Sequence, residues 1–265
     1  MAHAAASSTA RRMGLGPGAE HRRRPPRLRY GGRGRRTRTT GGDVDGTCTL
    51  GHPCSGPRET VEPVTTPGTA SRSRPISELP DSDWVNDLSS RTGIPERPLR
   101  AYAGAAIRAS EESPKCGIGW NTLAGIGFVE SEHGTIHGSE IGADGIARPD
   151  IIGIALTGES SLAIRDTDGG ELDGDTIWDR AVGPMQFIPE TWSQWGADGN
   201  GDRVSDPQNI DDSALAAARY LCFAGGDLTD PSAWIAAVHA YNPSIDYNNR
   251  VADVAGHYAA ATASP

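Results

Sequence analysis

One carboxyl group in this 265-residue chain is placed for acid–base chemistry by its helical phase. The segment over 119–133 has a helical pattern that Gly134 should end. At about 100° per residue, Glu130 shares the apolar face of Leu123, whereas Glu132 points the opposite way. Burial disfavours a charged carboxyl group and raises its pKa towards the range of a general acid. The alternative is a glutamate near the helix end that reaches solvent or bonds a backbone N–H.

A second candidate site is an acidic loop. Oxygen-bearing groups stand at the first, third, fifth and seventh positions, as in the opening of an EF-hand calcium loop. They are Asp198, Asn200, Asp202 and the carbonyl of Val204. Two residues depart from the pattern, because the sixth position holds Arg203 instead of glycine and the twelfth holds Asn209 instead of glutamate. The alternative is an acidic turn without a metal.

Two other clusters of potential metal ligands are rejected. His133 and His137 have a spacing that can bind zinc on a helix, but Gly134 lies between them and should end the helix. The acidic segment over 166–175 is interpreted as a solvated loop. The candidate sites are therefore those around Glu130 and Asp198.

Helices must position both sites. Helical patterns, capping residues and helix breakers predict helices over 84–90, 95–114, 119–133, 189–195, 211–224, 231–241 and 245–260. Residues 138–183 are rich in glycine and aspartate and predict loops, with a hairpin as the alternative. The predicted class is mostly α with a small irregular or β insert.

Composition divides the chain near residue 75. Residues 1–75 contain 14 arginines, five acidic residues and neither tryptophan nor phenylalanine, which gives a net charge of +9. Residues 76–265 contain 11 basic and 29 acidic residues, which gives −18. The first segment cannot bury enough apolar surface to offset its ordering entropy. We therefore predict a disordered basic arm over 1–75 and one folded domain over 76–265.

The arm leaves two interpretations open. Its arginine runs, such as 22–24, are of the kind that bind polyanions. A solvated tail, or upstream sequence outside the mature protein, needs no such partner. We favour the second interpretation and expect no nucleic-acid partner. No apolar stretch is long enough for a membrane span, and none follows Arg11 and Arg12, so we recognise no signal peptide.

Three segments of the folded part together resemble one enzyme family. Residues 125–134 resemble the catalytic motif of the B-type lytic murein transglycosylases, and residues 181–192 resemble their second motif. Residues 240–242, followed by Tyr247, resemble the third. The order and spacing of these segments fit the family, and the similarity covers roughly residues 76–260.

The resemblance implies a lysozyme-like α+β domain that acts on the glycan strands of peptidoglycan. Family members cleave the β-1,4 bond between N-acetylmuramic acid and N-acetylglucosamine with one catalytic glutamate, which maps onto Glu130. This residue protonates the glycosidic oxygen and then accepts a proton from the C6 hydroxyl of muramic acid, which leaves a 1,6-anhydro end. The reaction does not need the second carboxylate that most glycosidases use.

The resemblance also assigns roles to other residues of the site. Met185 and Gln186 are expected to line the glycan cleft. Tyr241 is expected to order the site near the catalytic glutamate. Asn242 and Tyr247 are expected to contact the substrate.

Calcium and a disulfide follow from the same resemblance. The late closing carboxylate of the family's calcium loop maps onto Asp212, 14 residues after Asp198. We expect calcium to be structural, because the chemistry requires no cofactor. An exported wall enzyme permits a disulfide between Cys116 and Cys222, with reduced buried thiols as the alternative.

The family also sets the expected location and two rival functions. We expect an extracytoplasmic monomer that acts on the cell wall. One rival is hydrolysis by water on the same fold, as in the goose-type lysozymes. The other is a glycan-binding protein without catalytic activity.

Overall fold

The computed structural model describes residues 74–158 and 162–263, which form seven α-helices and two small antiparallel sheets. The helices are α1 (Ser82–Thr92), α2 (Glu96–Glu112), α3 (Trp120–Ser131), α4 (Pro189–Trp195), α5 (Ile210–Gly225), α6 (Pro231–Tyr241) and α7 (Ile245–Ala263). The predicted arm over 1–75 lies outside the described residues except for its last two. Within the described ranges, no helix combines the length and apolar character that crossing a membrane requires.

Helix boundaries follow the predicted caps. At the start of α1, the side chain of Asp81 accepts a hydrogen bond from the backbone N–H of Trp84 at 2.9 Å. Gly93 ends α1 in the left-handed conformation, with a φ of 74°. Asp230 caps α6 in the same manner as Asp81 caps α1. Each predicted helix is present, and its ends lie within three residues of the predicted range.

Two sheets with short strands lie within the region predicted as loops over 138–183. The strands are β1 (Glu140–Ile141), β2 (Ala147–Arg148), β3 (Ile152–Ala155) and β4 (Arg180–Val182). β1 and β2 form a hairpin, which confirms that alternative, and β3 pairs with β4 across a long connection. Ile152 lies opposite Val182 in the second sheet. β4 then leads directly into the second of the three family-like segments.

The core lies around α3. This helix packs against α7, and α2 packs against both α3 and α5. Gly125 permits the close approach of α3 to α7, because a Cβ atom there would lie 3.1 Å from the carbonyl oxygen of Val251. The largest fully buried side chains include Tyr102, Tyr241, Phe187, Leu88, Leu99, Leu123 and Ile126. The mostly helical architecture agrees with the prediction from the sequence.

A disulfide joins Cys116 to Cys222, as expected from the sequence. Cys116 lies in the loop before α3, Cys222 lies in the last turn of α5, and their Cα atoms are 5.3 Å apart. The carbonyl oxygen of Cys116 also accepts a hydrogen bond from the N–H of Leu228 at 2.7 Å. The bridge therefore ties the segment that leads into α3 to the C-terminal end of α5.

Candidate active site

Glu130 lies in the last turn of α3, and most residues of that helix are buried. Glu130 is 9% exposed, whereas Glu132 just beyond the helix is an exposed residue. Glu132 takes the left-handed conformation, with a φ of 51°, and ends α3. The structure thus confirms the predicted helical phase, in which Glu130 faces inward and Glu132 faces solvent.

The environment of Glu130 favours its protonated form. The hydroxyl of Tyr247, near the start of α7, donates a hydrogen bond to Oε1 of Glu130 at 2.6 Å. Burial raises the pKa of Glu130 from 4.5 to about 8, although the Tyr247 bond and the positive charge of Arg250 act in the opposite direction. At neutral pH the carboxyl group therefore carries a proton that it can donate.

Gln186 lies in a turn after β4 and has an unusual backbone conformation. Its φ is 50°, in the left-handed region that residues other than glycine rarely adopt. The side-chain nitrogen donates to the carbonyl oxygens of Gly183, at 3.0 Å, and Ala181, at 3.3 Å. A Cβ atom at Gly153 would lie only 2.9 Å from the side-chain oxygen of Gln186. Gly153 therefore permits the close approach of the Gln186 amide to β3, and the expected glycan contact of Gln186, which is 7% exposed, stays a prediction.

The position of Met185 corrects one expectation. Its side chain has no exposed surface and packs in the hydrophobic core, so it cannot line an open cleft. The backbone of Met185 contributes instead, because its carbonyl oxygen accepts a hydrogen bond from the Tyr241 hydroxyl at 2.7 Å. Tyr241 is itself fully buried at the C-terminal end of α6. This bond ties the second family-like segment to the third.

Asn242 and Tyr247 lie on either side of the turn from α6 to α7. Asn242 is 5% exposed, and its side-chain oxygen accepts a hydrogen bond from the N–H of Ser244 at 3.2 Å. Tyr247 is also buried and bonds Glu130. Asn242 therefore shapes the turn that presents Tyr247, and the expected substrate contacts of both residues stay predictions.

A bond not anticipated from the sequence fixes the C-terminal end of α3. The fully buried hydroxyl of Ser131 donates to the carbonyl oxygen of Pro184 at 2.7 Å and accepts from the N–H of Gly134 at 2.9 Å. Pro184 lies two residues before Gln186, so this bond links the helix of Glu130 to the second family-like segment. A small polar residue beside Glu130 in an apolar helix was the signal that could have identified it.

His133 is buried among aromatic side chains next to this helix end. Its Nδ1 lies 3.3 Å from the hydroxyl oxygen of Tyr102, and its Nε2 lies 2.9 Å from that of Tyr258. Burial lowers the pKa of His133 from 6.5 to about 4, so its ring is neutral at pH 7. His133 therefore adds no positive charge next to Glu130 at that pH.

The predicted calcium loop is held in shape by its own backbone. The carboxylate of Asp198 accepts hydrogen bonds from the N–H groups of Gly201, at 2.7 Å, and Arg203, at 3.0 Å. Arg203 has a φ of 73°, so it provides the sharp turn for which an EF-hand uses glycine. The departure at the sixth position thus changes the residue type but keeps the left-handed backbone.

Asp212 closes this loop from α5. It is fully buried and accepts hydrogen bonds from the N–H groups of Gly199, Asn200 and Asp206, at 2.7, 3.1 and 2.9 Å. Burial raises the pKa of Asp212 from 3.8 to about 7. Asn209 caps α5, since its side chain accepts from a backbone N–H of that helix at 2.9 Å. Among the described residues, the carboxylate oxygens of Asp198, Asp202 and Asp212 do not converge within 4.8 Å of one another, so the calcium site, with Asn200 and the Val204 carbonyl, stays a prediction.

A different acidic group converges in the described part of the chain. Oxygens of Asp166, Asp168 and Asp179 lie within 4.8 Å of one another. The buried Asp179 accepts from the N–H and the hydroxyl of Thr167, both at 2.8 Å, and Asp166 accepts from the N–H of Gly169 at 2.8 Å. The interpretation of 166–175 as a solvated loop was therefore incomplete, because its hydrogen bonds give the segment a defined structure.

Comparisons of the chain with protein-family models, with curated proteins and with solved structures found no match.

Proposed function

We propose that this protein is a peptidoglycan lytic transglycosylase. The observation that carries the proposal is Glu130, a buried carboxyl group with a pKa of about 8 that is bonded by Tyr247 at 2.6 Å. Such an acid is suited to protonate a leaving group near neutral pH. The resemblance of three segments to the B-type lytic murein transglycosylases indicates the substrate class, which is the glycan strand of peptidoglycan.

In the first step, Glu130 acts as a general acid. Its proton moves to the glycosidic oxygen as the bond from that oxygen to the anomeric carbon of muramic acid breaks. N-acetylglucosamine leaves with a free C4 hydroxyl. Glu130 becomes a carboxylate, which the hydrogen bond from Tyr247 and the charge of Arg250 stabilise.

In the second step, the same group acts as a base. The carboxylate accepts the proton of the C6 hydroxyl while that oxygen attacks the anomeric carbon, which forms the 1,6-anhydro ring and restores protonated Glu130. No water is consumed. This route needs one glutamate, whereas most glycosidases use two carboxylates.

Further proposals concern the substrate contact of Gln186, calcium in the Asp198 loop, and the location of the protein. Gln186 would bond sugar hydroxyl or acetamido groups through its amide oxygen. Calcium, held by the five donors of the Asp198 loop, would stabilise the fold and take no part in the chemistry. A peptidoglycan substrate implies an extracytoplasmic location, and we expect the protein to act there as a monomer.

Digestion of purified sacculi, followed by mass spectrometry of the products, tests the proposed function. Wild-type protein should release fragments with 1,6-anhydro ends. Glu130→Gln should keep the fold but lower the rate by about two to four orders of magnitude. The matched control Glu132→Gln changes an exposed glutamate two residues away and should stay near the wild-type rate.

Two results would replace the proposal with its rivals. Hydrated reducing ends instead of anhydro ends would show hydrolysis of the goose-type lysozyme kind. Binding of sacculi by wild-type protein without any release of fragments would show a glycan-binding protein without catalytic activity.

A further inference from the structure

Arg250 is a cation close to the proposed site without an ionic partner. It is exposed and lies on α7 three residues after Tyr247, which places both residues on the same side of the helix. The ion pairs among the described residues all use other arginines. Asp246 and Asp253 lie four residues before and three residues after Arg250 on α7, but neither forms an ion pair with it.

The charge of Arg250 acts on the reacting group. The hydroxyl of Tyr247 is 2.6 Å from the carboxyl group of Glu130, and both residues are buried. Arg250 is exposed and lies one helical turn from Tyr247 on the same side of α7. In agreement with that position, its charge lowers the pKa of both Glu130 and Tyr247.

An unpaired guanidinium is available to a ligand. The folded domain has 29 acidic and 11 basic residues, so carboxylate partners are abundant within the protein. Arg250 nevertheless keeps its N–H donors free of ion pairs, and these donors match the two oxygens of a carboxylate. The proposed substrate carries such groups. Muramic acid bears a lactyl ether whose carboxyl group is free in bare glycan strands, and in intact strands it is amide-linked to a peptide that has its own carboxylates.

We propose that Arg250 binds a carboxylate of the substrate and so makes the site prefer carboxylate-bearing glycans over neutral ones. The inference rests on the proposed function, because it names the part of that substrate that the site recognises. The carboxylate can come from the lactyl group or from the attached peptide, and the experiment separates these two sources.

Calorimetric binding to the full-length Glu130→Gln protein, which retains bound glycans uncleaved, tests the inference. The ligands are three oligosaccharides of equal length: a neutral N-acetylglucosamine oligomer, an alternating oligomer with free lactyl carboxylates, and the same oligomer with peptides attached. Adding Arg250→Gln should weaken binding of a carboxylate-bearing ligand by about five- to twentyfold. It should weaken binding of the neutral oligomer by less than twofold.

Lys115→Gln is the matched control, because Lys115 is also exposed and forms no ion pair among the described residues. It should change none of the three affinities. A loss for the bare lactyl oligomer identifies the lactyl carboxylate as the partner of Arg250, and a loss for the peptide-bearing oligomer alone identifies the peptide. An equal loss for all three ligands, or no loss for any, would overturn the inference. Failure of the Glu130→Gln parent to bind any of them would contradict the proposed function instead.

Discussion

Replacing Glu130 with glutamine should change how the stability of the protein depends on pH. Folding raises the pKa of this carboxyl group from 4.5 to about 8, so the folded state binds the proton more tightly than the unfolded state. The stability contributed by this group is therefore fully present below about pH 4.5 and is lost as the pH rises to about 8. The full shift corresponds to about 5 kcal/mol at 1.36 kcal/mol per pKa unit.

Glutamine cannot titrate, yet it keeps an oxygen that can accept the hydrogen bond from Tyr247. Between pH 5 and pH 9, the free energy of unfolding of Glu130→Gln should thus rise relative to wild type by about 4 kcal/mol. Urea unfolding followed by tryptophan fluorescence, with the disulfide intact, measures this difference. Asp212 also has a raised pKa, but it is present in both proteins and cancels in the comparison.

Glu132→Gln serves as the control, because Glu132 is exposed and its variant should follow the wild-type pH dependence. Parallel curves for wild type and Glu130→Gln would refute the reasoning. They would show that Glu130 titrates as a glutamate does in water, which would remove the physical basis for its proposed role as a general acid.

Three further predictions concern groups around the site. Tyr247→Phe removes a bond that lowers the pKa of Glu130, so the upper limb of the pH–rate profile should move to higher pH while the rate falls about tenfold; an unmoved limb would contradict this. Reduction of the Cys116–Cys222 bridge should lower the free energy of unfolding by about 2–5 kcal/mol, as measured in urea with and without reductant. Millimolar calcium should raise the melting temperature of chelator-treated protein, because a hundredfold excess of calcium over Kd adds about 2.7 kcal/mol to the free energy of unfolding. Asp202→Ala should remove most of that rise in melting temperature. An unchanged melting curve would show that the Asp198 loop is an acidic turn that binds no calcium.

Local signals in the sequence were sufficient for the helices. Capping residues such as Asp81 and breakers such as Gly93 act within a few residues, so the helix ends could be predicted closely. The inward phase of Glu130 could be predicted in the same way, because one helix has one periodicity. The disulfide required more, and it was anticipated through the family resemblance.

Contacts between distant segments could not be predicted from local pattern. Met185 was expected in the cleft, but its apolar side chain packs into a core built by residues far along the chain. The two small sheets have strands of two to four residues, too short for a clear alternation of apolar and polar residues. The hydrogen bond from Ser131 to Pro184 joins residues 53 positions apart, a separation at which no local pattern carries information.

That bond from Ser131 to Pro184 has a consequence for how the protein can vary. The bond joins the two ends of the chain segment that carries both sheets, which lies between Ser131 and Pro184. Glu130 and Gln186 are therefore held close to each other by a contact next to both of them. Within that segment, the connection between β3 and β4 starts and ends at paired strands. Its length or composition can therefore change with little effect on either residue, as is common for segments whose ends are fixed. Grafting a different connection between β3 and β4 is therefore a route to new substrate preferences around an unchanged Glu130.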